Sequence, residues 1–408
     1  MLENKVYSNF VTFSLFLNSA VLIIPNKFKA YPILIFFICS LVYYLKSERK
    51  NTYSFQKIIL IGALPLIYLA SWLYSFESND AFFKLSTMAS LLGYPIVFGL
   101  LESSYFSIQK KQIETIFKVF VFSTTLFCIV SFIYFWRQEF SFYETTIHYF
   151  NLINIRLSIF SIHPIYLAIY LGISILMLVY LTQSNPKLFF KMAYLFWGLF
   201  LAVVLVLLMR KGPIIYLLMS LCFLLAHYLK IKKAIIVLIL VLAGVVFSVK
   251  FIPKYQNENR FNELTDNALN ENPESSIAIR YRVYQCVMEK ITEKPFLGYG
   301  VGNVKRNLDP CYVSKNLDIT QKNYNSHNQF FSVVLTAGLI GFCIYLFSIY
   351  SIFRILNQKK SILGIAIFVF FVLNFLTENV MERENGALIY SFLISFFLYQ
   401  SDESYKSV

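Results

Sequence analysis

Charge is scarce in this chain, and histidine scarcer still. Asp, Glu, Lys and Arg make up 14% of the 408 residues against 58% hydrophobic ones, and only four residues are histidine. A soluble domain carries about 25% charged and about 45–50% apolar residues, so an ordinary soluble globular protein is excluded. Several chemistries lack their motifs as well. No Asp-x-Asp pair occurs, so a Mg2+–nucleotide-sugar site is not expected; Gly-x-Ser-x-Gly and His-Glu-x-x-His are also absent. No Cys/His spacing resembles a zinc site. No metal and no cofactor is therefore expected. The sequence shows no internal repeat, no low-complexity segment and no soluble catalytic domain.

What is present is long apolar runs from end to end, with mean hydropathy +0.61. A run of about 18 or more apolar residues reads as a membrane span. The runs predict an all-α polytopic membrane protein of about twelve spans: 8–25, 30–45, 58–75, 87–101, 115–135, 157–181, 189–209, 213–228, 234–252, 328–351, 362–377 and 385–400. The first reads as a retained span, since it lacks a clear small-x-small cleavage site and a second span follows at once. The 43 Phe and 29 Tyr suit lipid-facing and interfacial positions.

The net charge of +14 sits in short loops between spans and gives no reason to expect nucleic acid. Alternate loops carry Lys46, Arg49, Lys50 and Lys57; Lys110 and Lys111; Lys187 and Lys191; Lys230, Lys232 and Lys233; and Arg354, Lys359 and Lys360. The intervening loops are richer in acids, with Glu77 and Asp80, Glu139 and Glu144, and Glu378, Glu382 and Glu384. The positive-inside rule then predicts both termini cytoplasmic. Three regions follow: an N-terminal membrane region of about nine spans over 1–252, an external loop over 253–327, and a C-terminal region of about three spans with a short cytoplasmic tail over 328–408.

The external loop, of about 75 residues, is too long for a simple connector. Asn272-Pro273-Glu274-Ser275-Ser276 reads as a helix entry, and Ile277, Tyr281, Tyr284, Met288 and Ile291 recur at steps of four and three. An amphipathic helix over 276–294 is expected, ending at Lys294-Pro295. Arg280 falls at the edge of its apolar face and Arg282 nearly opposite. Cys286 and Cys311 share this loop and could pair if it is outside the membrane. Cys39, Cys128, Cys222 and Cys343 fall in apolar runs and read as small core residues.

Few residues in or near the outer boundary could carry chemistry. Arg210 and Lys211, in "LLMRKGPII", are either cations at a tight turn bent by Gly212 and Pro213, or an anion site. "PFLGYGVGN" reads as a turn whose glycines let backbone approach closely. His163, in "SIHPIYLAIY", opens a span at the outer end; His227 reads as structural and His148 has no obvious partner. His327, in "NYNSHNQFF", has Asn323, Asn325, Asn328 and Gln329 around it at the mouth of a span. An imidazole is suited to taking a proton from a hydroxyl near neutral pH. Arg280 and Arg210 would serve the other half of such a reaction, holding a diphosphate leaving group.

Three stretches in order, "LLMRKGPII", "IAIRYRVYQCVMEKITEKPFLGYGVGN" and "NSHNQFFSVVLTAGLIGF", together with the span count and the late long loop, resemble the O-antigen ligase/polymerase family of bacterial envelope glycosyltransferases. The resemblance implies a glycosyltransferase-C-like fold and transfer of a glycan from undecaprenyl diphosphate to an acceptor at the periplasmic face of the inner membrane. It implies Arg210 and Arg280 as diphosphate ligands and His327 as general base, with Lys211, His163 and Asn328 as further candidates. The family's first arginine is usually followed by a small residue, where this chain has Lys211. Expected partners are the lipid-linked glycan donor, membrane lipids, and lipid A–core or a lipid-linked glycan as acceptor. A ligase is expected, with a polymerase as the alternative. A flippase or other transporter fits less well, because the spans are nearly free of charge at mid-depth and no repeated halves are visible.

Overall fold

The apolar runs fold as helices throughout. A computed structural model describes residues 2–48, 51, 53, 55–138, 140–228, 275–318 and 324–400, and among these all regular structure is helical. The expected span at 234–252, the helix entry at Asn272–Glu274, Asn323 and the C-terminal tail lie outside the described residues. Among the described residues six helices are long and apolar enough to cross a membrane, or eight if each of two bent pairs counts as one span. The chain is an all-helical, polytopic membrane protein.

Helices α1 (Leu2–Ser19) and α2 (Ala30–Lys46) pair with each other. The expected span at 58–75 is broken into α3 (Phe55–Ile61) and α4 (Ala63–Trp72), bent by 71°. Pro65 in the first turn of α4 has no N–H to donate back across Gly62, so the ladder breaks there. Helices α5 (Ser78–Thr87) and α6 (Ser90–Ser103) form a second bent pair, at 41°. Next come α7 (Lys110–Gln138), α8 (Phe142–Ile155), α9 (Pro164–Ser184), α10 (Leu188–Leu207) and α11 (Lys211–Tyr228).

Helix α8 lies where only a connector was expected, and the following span begins seven residues later than position 157, at Pro164. Ser141 and Glu144 close a reciprocal capping box at the start of α8. Helix α9 is the centre of the bundle: residues from Pro164 to Leu181 are buried with one exception, and α7, α10 and α11 pack around it. A helix apolar on every side is a core helix. By contrast α10 leaves Leu195, Phe196, Leu199 and Val203 exposed, a lipid-facing stripe.

The C-terminal part begins with α12 (Ser276–Glu293) and α13 (Val304–Ser314), which pack on one another and are joined by a disulfide between Cys286 and Cys311. They share a small core of their own with Val283, Val287, Leu308 and Tyr312. Helix α12 matches the expected 276–294 closely, but its buried side is not the one expected. Ala278, Val283, Cys286 and Val287 are buried, while Tyr281 and Met288 are 52% and 49% exposed. The sequence period ranks faces by hydrophobicity alone, whereas the disulfide partner and α13 fix which face turns inward.

Helices α14 (Gln329–Gln358), α15 (Ile362–Phe375) and α16 (Glu384–Tyr399) complete the bundle, with α15 against α11 and α9, α16 against α6, and α14 against α4. Helix α14 is interrupted at Gly338, where φ is +64°. The glycine-rich stretch docks on this interruption. Tyr299 N donates to Leu335 O (2.8 Å), Gly300 N to Thr336 O (2.9 Å) and Leu339 N to Pro295 O (2.8 Å). The stretch thus approaches backbone closely, as expected, and the backbone it approaches is that of α14. Groups freed by the break in a spanning helix find partners inside the protein.

Candidate functional site

Five helix N-termini converge on one cavity of about 820 Å³. His163 caps α9, Arg210 precedes α11, Ser276 opens α12, His327 stands two residues before α14, and Arg383 caps α16; all line this cavity. Each N-terminus presents the positive end of its helix dipole. Arg210, Arg280 and Arg383 add three guanidinium groups to the same walls. Glu378, Glu382 and Glu384 line the cavity as well, so a place for an anion is confined to the walls that carry the arginines and helix N-termini.

Arg210 is positioned by a chain break at Met209, whose φ is +49°. The bend expected at Gly212 and Pro213 lies earlier, since both residues already belong to the first turn of α11. Gly212 instead allows close packing, for a Cβ there would meet Thr377 Oγ1 at 3.1 Å. The Arg210 guanidinium stacks over the Phe150 ring, 5.9 Å from its centroid. Lys211 follows it but does not line the cavity.

Arg280 projects from α12 into the cavity, and among the described residues no group accepts a hydrogen bond from it. Arg282, on the other side of the helix, donates to the carbonyls of Lys315 and Asn316 (3.2 and 3.0 Å) and so holds the end of α13. The edge position read from the sequence thus puts the two arginines to separate uses.

His327 sits in the left-handed region with φ +47°, uncommon for a residue with a side chain. Its neighbours hold it there. His327 N donates to Asn325 Oδ1 (2.9 Å), and Tyr284 Oη donates to His327 O (3.2 Å). Ser326 Oγ donates to Asn328 O (2.9 Å). Asn328 Oδ1 accepts from Phe330 N and Phe331 N (2.9 and 3.1 Å), and its Nδ2 donates to Leu376 O (3.0 Å). Asn328 is therefore the N-cap of α14 and does not line the cavity. Gln329 is equally occupied: Met381 N donates to its Oε1 (2.9 Å) and its Nε2 donates to Glu382 Oε1 (3.1 Å). The amides around His327 are scaffolding.

His163 faces the same cavity, with Nδ1 accepting from Ile165 N at 3.4 Å. Burial first, then Arg210, with Arg383 and His327 in the same sense and Glu378 opposing, lower its pKa to about 4. It is neutral at physiological pH. His148 lies on α8 and His227 at the far end of α11; neither lines the cavity.

Residues 196–346 match the sequence model of the O-antigen ligase family. Over this segment the chain is similar to that family. No curated protein matches the chain. The matched segment contains Arg210, Lys211, Arg280, His327 and Asn328, while His163 and the connection between α15 and α16 fall outside it.

The connection between α15 and α16 supplies what the sequence reading missed. Glu378, Glu382, Arg383, Glu384 and Asn385 all line the cavity, with Glu382 held by Tyr68 Oη (2.7 Å) and Gln329. The acids among them read from sequence only as orientation markers. Tyr166, on α9, is buried at the cavity with a hydroxyl that has no hydrogen-bond partner among the described residues. A single tyrosine in an apolar run gives no local sign of this.

Proposed function

We propose that this protein is an O-antigen ligase-like glycosyltransferase that moves a glycan from undecaprenyl diphosphate to an acceptor hydroxyl, of the lipid A–core type, at the periplasmic face of the inner membrane. What carries the reading is the meeting of Arg210, Arg280 and His327 in one cavity, from three segments remote in sequence. Arg210 and Arg280 bind the donor diphosphate. His327 takes the proton of the acceptor hydroxyl, whose oxygen attacks the anomeric carbon as the bond to the diphosphate oxygen breaks. The arginines neutralise charge on the departing undecaprenyl diphosphate. A base on one face and the leaving group on the other give a single displacement with inversion. Holding both lipids at one interface supplies the positioning.

The Cys286–Cys311 disulfide supports a periplasmic location for this part of the chain, since disulfides persist in oxidising compartments. With the positive-inside distribution, both termini are then cytoplasmic.

The test is transfer by purified protein given undecaprenyl-diphosphate glycan, with and without lipid A–core, and neither nucleotide sugar nor added metal. One shifted product that requires lipid A–core is expected. A ladder formed without it would make the protein a polymerase, and no product with either acceptor would overturn the glycosyltransferase reading.

A further inference from the structure

We propose that Glu378 is a positioning residue, which holds His327 with its proton on Nδ1 and leaves Nε2 to take the proton of the acceptor hydroxyl. The inference rests on the reading of His327 as the general base. Its starting point is an unpaired couple. His327 Nδ1 is buried with no hydrogen-bond partner among the described residues, and it lies 3.9 Å from Glu378 Oε2. The Glu378 side chain is only 9% exposed, and among the described residues it makes no hydrogen bond and no ion pair with an arginine or lysine. Two buried polar groups that face each other, neither with a hydrogen bond of its own among the described residues, are each other's natural partner. A separation of 3.9 Å is longer than a hydrogen bond, and catalytic hydrogen bonds are often long in ligand-free sites and tighten with substrate.

The backbone has left this pairing little else to decide. Asn325, Tyr284 and the Asn328 cap fix the main chain of His327, so that only the side-chain torsions remain. Charge decides which of the pair donates. Burial raises the Glu378 pKa, but His327, His163 and Arg280 more than offset it, so the carboxyl stays ionised below the usual carboxylate range. An ionised carboxylate only accepts. The groups that face it come from several elements: His327 ahead of α14, His163 and Tyr166 from α9, and Arg280 and Tyr284 from α12. The proton in the pair therefore belongs on Nδ1, and the nitrogen left for substrate is Nε2.

The test combines a spectroscopic and a kinetic readout on the full-length protein in lipid nanodiscs. Histidine labelled with 15N reports which ring nitrogen carries the proton, and with four histidines the His327 signals are assigned by their loss in His327→Ala. Wild type is expected to show Nδ1–H at His327, Glu378→Asp to keep it, and Glu378→Gln to move it toward Nε2–H. In the transfer assay Glu378→Gln is expected to lose at least about 10²-fold in kcat with donor KM within about two-fold, and Glu378→Asp to recover part of the loss. A wild-type proton on Nε2, a Glu378→Gln spectrum identical to wild type, or full kcat in Glu378→Gln would overturn the inference. If wild type transfers no glycan, the proposed function fails, and the spectra alone decide the pairing.

Discussion

Asn328 shows at the scale of one residue how the setting of His327 is built. Its Oδ1 caps α14 and its Nδ2 reaches across to Leu376 O, so one amide ties the His327 segment to both α14 and the end of α15. Replacing Asn328 by Ala removes a cap worth about 1 kcal/mol. It also removes the donor to the part-buried Leu376 carbonyl. Asn328→Ala is expected to lower the thermal midpoint of the detergent-solubilised protein, and Asn328→Ser, which keeps the cap alone, to lie between. A midpoint equal to wild type in Asn328→Ala would show that the cap is not needed. At this scale the sequence was informative for residues whose type and place are both unusual. Arg210, His163 and His327 stand at span ends and Arg280 at the edge of an amphipathic helix, in a chain poor in charge, and all four line the cavity. Glu378 and Tyr166 were not legible, because an acid in an outer loop and a tyrosine in a span are ordinary until the fold turns them toward His327.

At the scale of elements, the interruption of α14 is the feature on which the glycine-rich stretch depends. A Cβ at Gly338 would stand 2.1 Å from the Phe296 carbonyl carbon, at a φ of +64°. Gly338→Ala is expected to destabilise by well over about 1 kcal/mol, seen as loss of folded yield in size-exclusion profiles. Gly93→Ala is the control, since the nearest atom to its Cβ is Ile33 Cγ2 at 3.9 Å. Equal yields of the two variants would remove the close approach as an explanation. The disulfide is the second such feature. Cys286 and Cys311 are 25 residues apart, and closing a loop of that order stabilises by about 3 kcal/mol. Reductant, or the pair Cys286→Ser and Cys311→Ser, is expected to make 275–318 sensitive to limited proteolysis and to weaken donor binding through Arg280. Unchanged proteolysis would show that packing alone holds α12 on α13. The helical period located α12 within a residue, yet it chose the wrong face, since a period cannot register a covalent partner that lies beyond the next turn of chain. In the same way the run at 58–75 looked continuous, while Pro65 divides it into α3 and α4.

Across the whole molecule, the apolar runs gave the class of architecture, and charge scarcity made the few cations conspicuous. The convergence of α9, α11, α12, α14 and α16 on one cavity was not legible, because it depends on how helices remote in sequence pack together. That convergence divides the labour of the proposed reaction between arginines that bind and a histidine that reacts. One comparison tests the division directly: donor affinity and single-turnover transfer, both measured for His327→Ala, Arg210→Ala and Arg280→Ala in purified protein. His327→Ala is expected to bind donor within about two-fold of wild type but to transfer about 10²–10⁴-fold more slowly. Each arginine variant is expected to lose donor affinity by about ten-fold or more, as removal of a charge-assisted contact worth about 1.5–3 kcal/mol requires. Transfer at the wild-type rate by His327→Ala, or undiminished donor binding in both arginine variants, would contradict it.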